Sequence, residues 1–289
     1  MLLITGATGK VGSNLAYMLK DAEVKLRLMM RDTSRLHEVF KDSDCELVAA
    51  DYENRESLAK ALDDVDKVFL VTPGDQRLVD FEQSFIEEAK NAGIEHIVKL
   101  SVIGADSKSA FSTGRWHFAA EQYLESSGIA YTHLRPHSLM QNFFSYRSFI
   151  KREGVFLAPM GNGRIPLIDA RDVAAVAAVC LMSKGHEGMV YELTGPEPLT
   201  YNQAAEIMSE KLEMTIKYVD MPLDQTRKTM TEGGWPPWMV DDVISLYQYF
   251  RDGLASRTTD TVEALTQRPA MNFAQFITDY AEFFKSNAE

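Results

Sequence analysis

MLLITGATGKVGSNLAYML, residues 1–19, decides the fold. The apolar run LLIT (2–5) leads at once into Gly6-Ala7-Thr8-Gly9-Lys10-Val11-Gly12, and then into SNLAYMLK (13–20), whose apolar residues fall three or four apart. The run reads as a strand and the later stretch as an amphipathic helix. Glycines at G-x-x-G-x-x-G spacing permit a tight strand-to-helix turn and a close approach of backbone to an anion. The free N–H groups and dipole of the helix start favour negative charge there. A glycine motif alone is weak. Here it follows a strand, opens a helix and heads a series of such units, the context in which it holds the pyrophosphate of a dinucleotide. A purely structural turn is the competing reading. On the binding reading, Gly6, Thr8, Gly9, Lys10, Val11 and Gly12 contact the phosphates.

Outward from this stretch the same rhythm repeats. VKLRLMM (24–30), CELVAA (45–50), KVFLVT (67–72), HIVKLSV (96–102) and AYTHLRP (130–136) read as strands. Between them lie RESLAKALDD, DFEQSFIEEAKNAG and HFAAEQYLESSG, helical in pattern, with Gly93 and Gly128 as stops. Strands separated by single helices build a parallel sheet. The expected fold is therefore α/β, a Rossmann-type doubly wound parallel sheet with a smaller, mainly helical C-terminal part. Residues 1–155 form the nucleotide-binding domain, 165–195 return to it, and 196–289 form the substrate or partner part. In 154–182 a turn-rich stretch precedes a long Ala/Val helix, for which Asp172 is the expected cap while Arg171 pairs with a nearby acid. Thr200 is the expected N-cap of YNQAAEIMSEKL.

Composition narrows the function classes. The chain has 289 residues and a formal net charge of −12, which argues against nucleic-acid partners, because these require a basic footprint. No apolar run approaches the roughly 18 residues of a membrane span. Cys45 and Cys180 read as reduced, buried residues, and a cytoplasmic location is expected. No His or carboxylate spacing makes a metal site.

The second strand ends MMRDTSR, which puts Arg31 about 20 residues past the glycines, where an acidic residue would hold an NAD ribose. An arginine there pairs with a 2′-phosphate, so NADP(H) is preferred over NAD(H), with Arg35 assisting. Asp32 would instead serve an NAD ribose if the strand ended one residue later. Further cofactor candidates stand at strand ends: Asp51 and Tyr52 beside the adenine, Thr72 and Pro73 beside the ribose and nicotinamide, then Ser101, Pro136 and His137. Asp51-Tyr52 and Thr72-Pro73 each have a plain turn as the alternative. Trp116, Phe143 and Phe144, with Met140 beside them, offer an apolar lining for a flat aromatic substrate. Trp235 and Trp238 add to the aromatic count.

These features resemble the NmrA-like family of atypical short-chain dehydrogenases/reductases. The resemblance rests on GATGKVG with a basic end to strand two, on SGIAYTHLRP followed by MQNFF and IDARDVA, and on YELTGPEPLTYNQAAEIMS and TDTVEALTQRPAMNFAQFITDYAEFF. It extends over almost the whole chain. It implies NAD(P) on a Rossmann-type domain, and an activity among quinone, azo-dye and aromatic ether reductases or nucleotide-binding regulators. Typical short-chain reductases carry Tyr-x-x-x-Lys at the start of the helix after strand five. Here Thr113 stands at the Tyr position and His117 at the Lys position. A threonine hydroxyl is no useful acid near neutral pH, so the usual carbonyl reduction is in doubt. The quinone-reductase branch is similar in placing a histidine at this point.

His117 has an ordinary imidazole pKa near 6.5 as its starting point, which suits a bond to the nicotinamide ribose or a proton for a reduced acceptor. A histidine that merely supports its helix is the alternative. Two functions account for the missing pair: an NADPH-dependent reductase of a small aromatic acceptor such as a quinone, or a non-catalytic NADP(H) sensor that presents GGWPPW (233–238) to a protein partner. A sugar-nucleotide epimerase would need the absent tyrosine.

Overall fold

Strand β1 (Leu2–Ile4) is central to a seven-stranded parallel sheet in the computed structural model, which describes residues 1–33, 40 and 43–286. The other strands are β2 (Leu26–Met30), β3 (Glu46–Ala49), β4 (Lys67–Leu70), β5 (His96–Leu100), β6 (Ala130–Pro136) and β8 (Met189–Leu193). Their order is β3-β2-β1-β4-β5-β6-β8, so the winding direction reverses between β1 and β4. This is the Rossmann-type doubly wound sheet expected from the sequence. The order matters for function, because ligands bind outside the carboxyl ends of such strands where the winding reverses.

Burial on both faces explains why the strands read as continuous apolar runs. Leu2 and Ile4 of β1 pack on one side against helices α1 (Gly12–Leu19) and α6 (Ala170–Met182), and Leu3 packs on the other. The opposite face is covered by α2 (Arg55–Leu62), α3 (Leu78–Ala92) and α4 (Ser112–Ser126). Gly93 ends α3 in the left-handed region, φ 76°, as its position predicted. Helix α10 (Thr261–Thr266) returns to the first face through Val262.

A second core lies beside the sheet. A 3-10 segment (Met140–Tyr146), α5 (Arg147–Glu153), strands β7 (Val155–Ala158) and β9 (Lys217–Asp220), α7 (Tyr201–Leu212), α8 (Leu223–Glu232), α9 (Pro237–Arg251), α11 (Phe273–Asp279) and α12 (Ala281–Lys285) make up this part. Its centre is Phe143, which lies within 4.8–5.6 Å, ring centre to ring centre, of Tyr146, Phe156, Tyr201 and Phe273. The parallel pair β7–β9 is a small sheet that the sequence reading passed over. Thr200 caps α7 in a full capping box with Gln203.

The cap of α6 needs correction. Asp169 accepts from the Arg171 N–H and is the N-cap. Asp172 sits inside the first turn, fully buried, and holds Arg268 at 2.6 Å and the Met271 N–H at 2.8 Å. Arg171 does pair with acids, Asp169 at 2.8 Å and Asp279 at 2.7 Å. Among the described residues no helix is long and apolar enough to cross a membrane.

Candidate active site

The glycine loop closes on itself. Gly6 takes φ +59°, its carbonyl accepts the Gly9 N–H at 2.8 Å, and a Cβ on Gly12 would meet that same carbonyl oxygen at 2.3 Å. Only glycine fits at these points. Helix α1 then opens without a side-chain cap. The Ser13 N–H is taken by the Gly9 carbonyl at 3.0 Å, and the N–H groups of Lys10, Val11 and Gly12, which have no backbone acceptor among the described residues, are left to an outside acceptor. Buried Thr5 braces the loop floor: its hydroxyl donates to the Val71 carbonyl at 3.0 Å and accepts the Val71 N–H at 2.7 Å.

A cavity of about 290 Å³ lies over this loop, with Gly6, Thr8, Gly9, Arg31, Tyr52 and Thr72 among its walls. Arg31 and Asp32 both line it, so the two candidate ribose readers stand side by side. The Tyr52 ring stacks on Phe81 and its hydroxyl donates to the Val71 carbonyl at 2.8 Å. Pro73 is also on the wall. Asp51 is not: it accepts the Glu53 N–H at 3.0 Å in a local turn and is absent from the lining. Arg35 falls outside the described residues.

Val71 and Thr72 also border a second cavity, about 280 Å³, whose far walls include Ser101, Thr113, Trp116, His117, Trp238 and Asp242. One extended ligand can therefore run across the end of β4 from Arg31 to His117. The hydroxyl of Ser101 is buried there with no hydrogen-bond partner among the described residues. An orphaned buried hydroxyl at a cavity wall is satisfied by a ligand carrying hydroxyl or amide groups, and a nicotinamide dinucleotide carries both. The residues present fit that coenzyme.

Behind His117 is a group of charged side chains that the sequence reading missed. Lys99 of β5 and Glu82 of α3 are both fully buried and pair at 3.1 Å. The Lys99 ammonium also lies 3.0 Å from His117 Nδ1, and Thr72 donates its hydroxyl to Glu82 Oε1. Burial pushes the Glu82 carboxyl up, while Lys99 and Thr72 pull it back. Burial first, and then the Lys99 charge, hold the His117 imidazole well below its ordinary range. His117 is thus neutral near pH 7, and the expectation built on an unperturbed imidazole does not hold. Thr113 cannot act as an acid either. Its N–H donates to Asp242 Oδ1 at 2.7 Å and its hydroxyl donates to Oδ2.

A third and larger cavity, about 600 Å³, opens on the other side of the glycine loop. Lys10, Ser138, Phe144, Tyr146, Trp235 and Tyr247 are on its walls, and Lys10 donates to Asn142 at 2.7 Å. Of the residues expected to touch an aromatic substrate, Phe144 lines this chamber and Trp116 lines the smaller cavity. Met140 and Phe143 do not: they are 1% and 0% exposed in the second core, with no face left for a ligand. Trp238 packs on Trp116 at 5.4 Å. Val11 and Pro136 are buried and line none of the three cavities.

His137 is likewise drawn inward. It stacks on Phe250, its Nε2 lies 3.0 Å from the Ala255 carbonyl, and its Nδ1 accepts the Ser138 N–H at 2.8 Å. Burial lowers its pKa to about 4. A lowered folded-state value means stability present above the unfolded value near ~6.5 and lost as pH falls toward the folded one. The expected result is a loss of unfolding free energy of up to about 1.4 kcal/mol per pH unit between those limits for this one proton. Urea titrations of the parent and of His137→Gln across that window check it; parallel curves would remove the assignment.

The NmrA-like family model matches residues 1–284. This chain belongs to the NmrA-like family. Among similar proteins is an NAD(P)H azoreductase of Xenophilus azovorans, 35% identical over 98% of this chain and 99% of its own length. A (4-alkanoyl-5-oxo-2,5-dihydrofuran-3-yl)methyl phosphate reductase of Streptomyces griseus is 34% identical, again over 98% and 99%. The solved structure of the quinone oxidoreductase QOR2 of Escherichia coli with NADPH superposes with TM-score 0.85 at 25% identity, covering 96% of this chain and 99% of that one. These NmrA-like relatives are named for different acceptors, so the acceptor of this member has to be read from its own cavities. The missed pair did leave a trace in the sequence. Lys99 interrupts the apolar run HIVKL, and Glu82 falls on the apolar face of its helix.

Proposed function

We propose that this chain uses NADPH, in preference to NADH, to reduce a flat aromatic acceptor such as a quinone. The observation that carries the reading is the wall of Val71 and Thr72 shared by the glycine-loop cavity and the His117 cavity. When bound, the reduced nicotinamide supplies the hydride. The loop amides of residues 8 and 10–12 hold the pyrophosphate, the Gly9 N–H being taken by the Gly6 carbonyl. Arg31 pairs with the 2′-phosphate, and the Ser101 hydroxyl and His117 fix the nicotinamide end. The acceptor lies against the rings of Trp116 and Trp238, which line the same cavity as His117 and so stand within reach of the nicotinamide end. Orientation in a dry site is most of what such a transfer asks of the protein, because the coenzyme carries the hard chemistry. That accords with Thr113 standing where a tyrosine acid would be. The names of the azoreductase and of the NADPH-bound quinone oxidoreductase support the reading. We place the protein in the cytoplasm, where its two free thiols, Cys45 and Cys180, stay reduced.

Pure protein with NADPH and a panel of quinones should oxidise the coenzyme well above background, and no oxidation would overturn the proposal. Coenzyme choice has its own test. Arg31→Ala should weaken NADPH binding about tenfold or more, the worth of one charge-assisted contact, while leaving NADH binding little changed. Equal affinity of the parent for the two coenzymes would remove the role given to Arg31.

A further inference from the structure

We infer that Lys99 is a positioning residue that locks His117 in the neutral tautomer with its proton on Nε2, turned toward the cavity as a fixed hydrogen-bond donor. An ammonium has three donors and no acceptor. At 3.0 Å from His117 Nδ1, Lys99 can only donate to it, so Nδ1 carries no proton. The single proton of the neutral ring is then on Nε2. That atom has no hydrogen bond among the described residues, and His117 lines the cavity beside the orphaned Ser101 hydroxyl.

The surrounding charges favour the lock. On the Lys99 side they are Glu82 of α3, at 3.1 Å, and the Leu100 carbonyl, at 3.3 Å. Glu121 of α4 is neutralised by Arg135 of β6. Asp75, beyond β4, is turned to Arg77, and Asp242 of α9 is turned to Thr113. Among the described residues no carboxylate is bonded to the His117 ring to draw a second proton onto it. Burial beside a cation acts in the same direction. His117 therefore serves as a permanent donor over the whole physiological range, and its contribution to ligand binding does not switch with pH.

The lock itself is a property of the ligand-free protein. The identity of the group that Nε2 faces rests on the dinucleotide reading above, and the experiment separates the two. Long-range 1H–15N correlation spectra of the histidine-labelled full chain report tautomer and charge, with His117→Asn used for assignment. Between about pH 5 and 8, His117 is expected to show an unprotonated Nδ1, a protonated Nε2 and no titration. A proton on Nδ1, or titration near ~6.5, would overturn the lock whatever the protein binds.

In Lys99→Met/Glu82→Gln, which removes the buried pair together, His117 should return to a mixture of tautomers while staying neutral, because burial, the larger cause of its lowered range, remains. Unchanged His117 signals in the folded double variant would deny Lys99 the role. Adding NADPH to the parent should move the Nε2 resonance. An unmoved resonance at saturating NADPH would overturn the placement of the donor against the coenzyme and leave the tautomer result standing.

Discussion

Gly12→Ala should abolish measurable NADPH binding and weaken the fold in the same stroke. The added Cβ would lie 2.3 Å from the Gly6 oxygen, 2.8 Å from the Gly6 carbon and 3.2 Å from the Thr5 oxygen. All three are backbone atoms, so no side chain can swing aside. The loop has to open, at a cost of about 1–3 kcal/mol of stability as in other overpacked sites. The same displacement would carry the loop amides proposed to hold the pyrophosphate away from it. We expect affinity for NADPH to fall at least about a hundredfold, or ~2.7 kcal/mol. Fluorescence titration and urea unfolding measure the two effects. Gly74→Ala meets no atom within 4 Å and should unfold as the parent does. NADPH affinity within about threefold of the parent in Gly12→Ala would mean that the pyrophosphate is held elsewhere.

Lys99→Met is the second large effect, this time on stability. Methionine fills a similar volume but leaves the Glu82 carboxyl fully buried without its cation, and Glu82 Oε2 already lacks a partner. Breaking a buried pair from one side costs about 3–5 kcal/mol, because the remaining charge is uncompensated. The second substitution, Glu82→Gln, should recover most of that loss. The pH dependence gives a further check. In the single variant the folded-state value of Glu82, already raised by burial in the parent, rises further above its unfolded value near ~4.3. The stability of that variant is therefore full below the unfolded value and lost as pH climbs through the folded one. Acidification should narrow the gap to the parent, and a gap constant with pH would show that Glu82 is not the group left exposed to the penalty.

The sheet was legible because its strands are bounded by turn residues and its helices by glycine and threonine caps. AYTHLRP forms β6 over the same residues, 130–136, and Thr200 builds its box with Gln203. The small β7–β9 sheet was not legible. VFLA and KYVD are four residues each, and nothing local says that they will meet across an intervening stretch of about sixty residues. In the site, the glycine loop and the Arg31 and Thr72 walls follow from strand ends and were found by position. Phe143 and Phe144 could not be separated by pattern. The 3-10 turn of Met140–Tyr146 sends the first into the core and the second to the chamber wall. Asp169 and Asp172 pose the same difficulty, since both have the chemistry of a cap and only the backbone at Asp169 is extended, ψ 135°. Lys99 and Glu82 were the avoidable omission. A charged residue inside an apolar face has to find its opposite, and two such residues on neighbouring elements could have been matched.

The contact between Thr113 and Asp242 also sets how freely α4 can be altered. One carboxylate stitches the first turn of that helix to the distant α9 through two bonds. A larger side chain at position 113 would unpick the seam before it could do any chemistry. Redesign of this corner therefore has to refashion α9 together with α4.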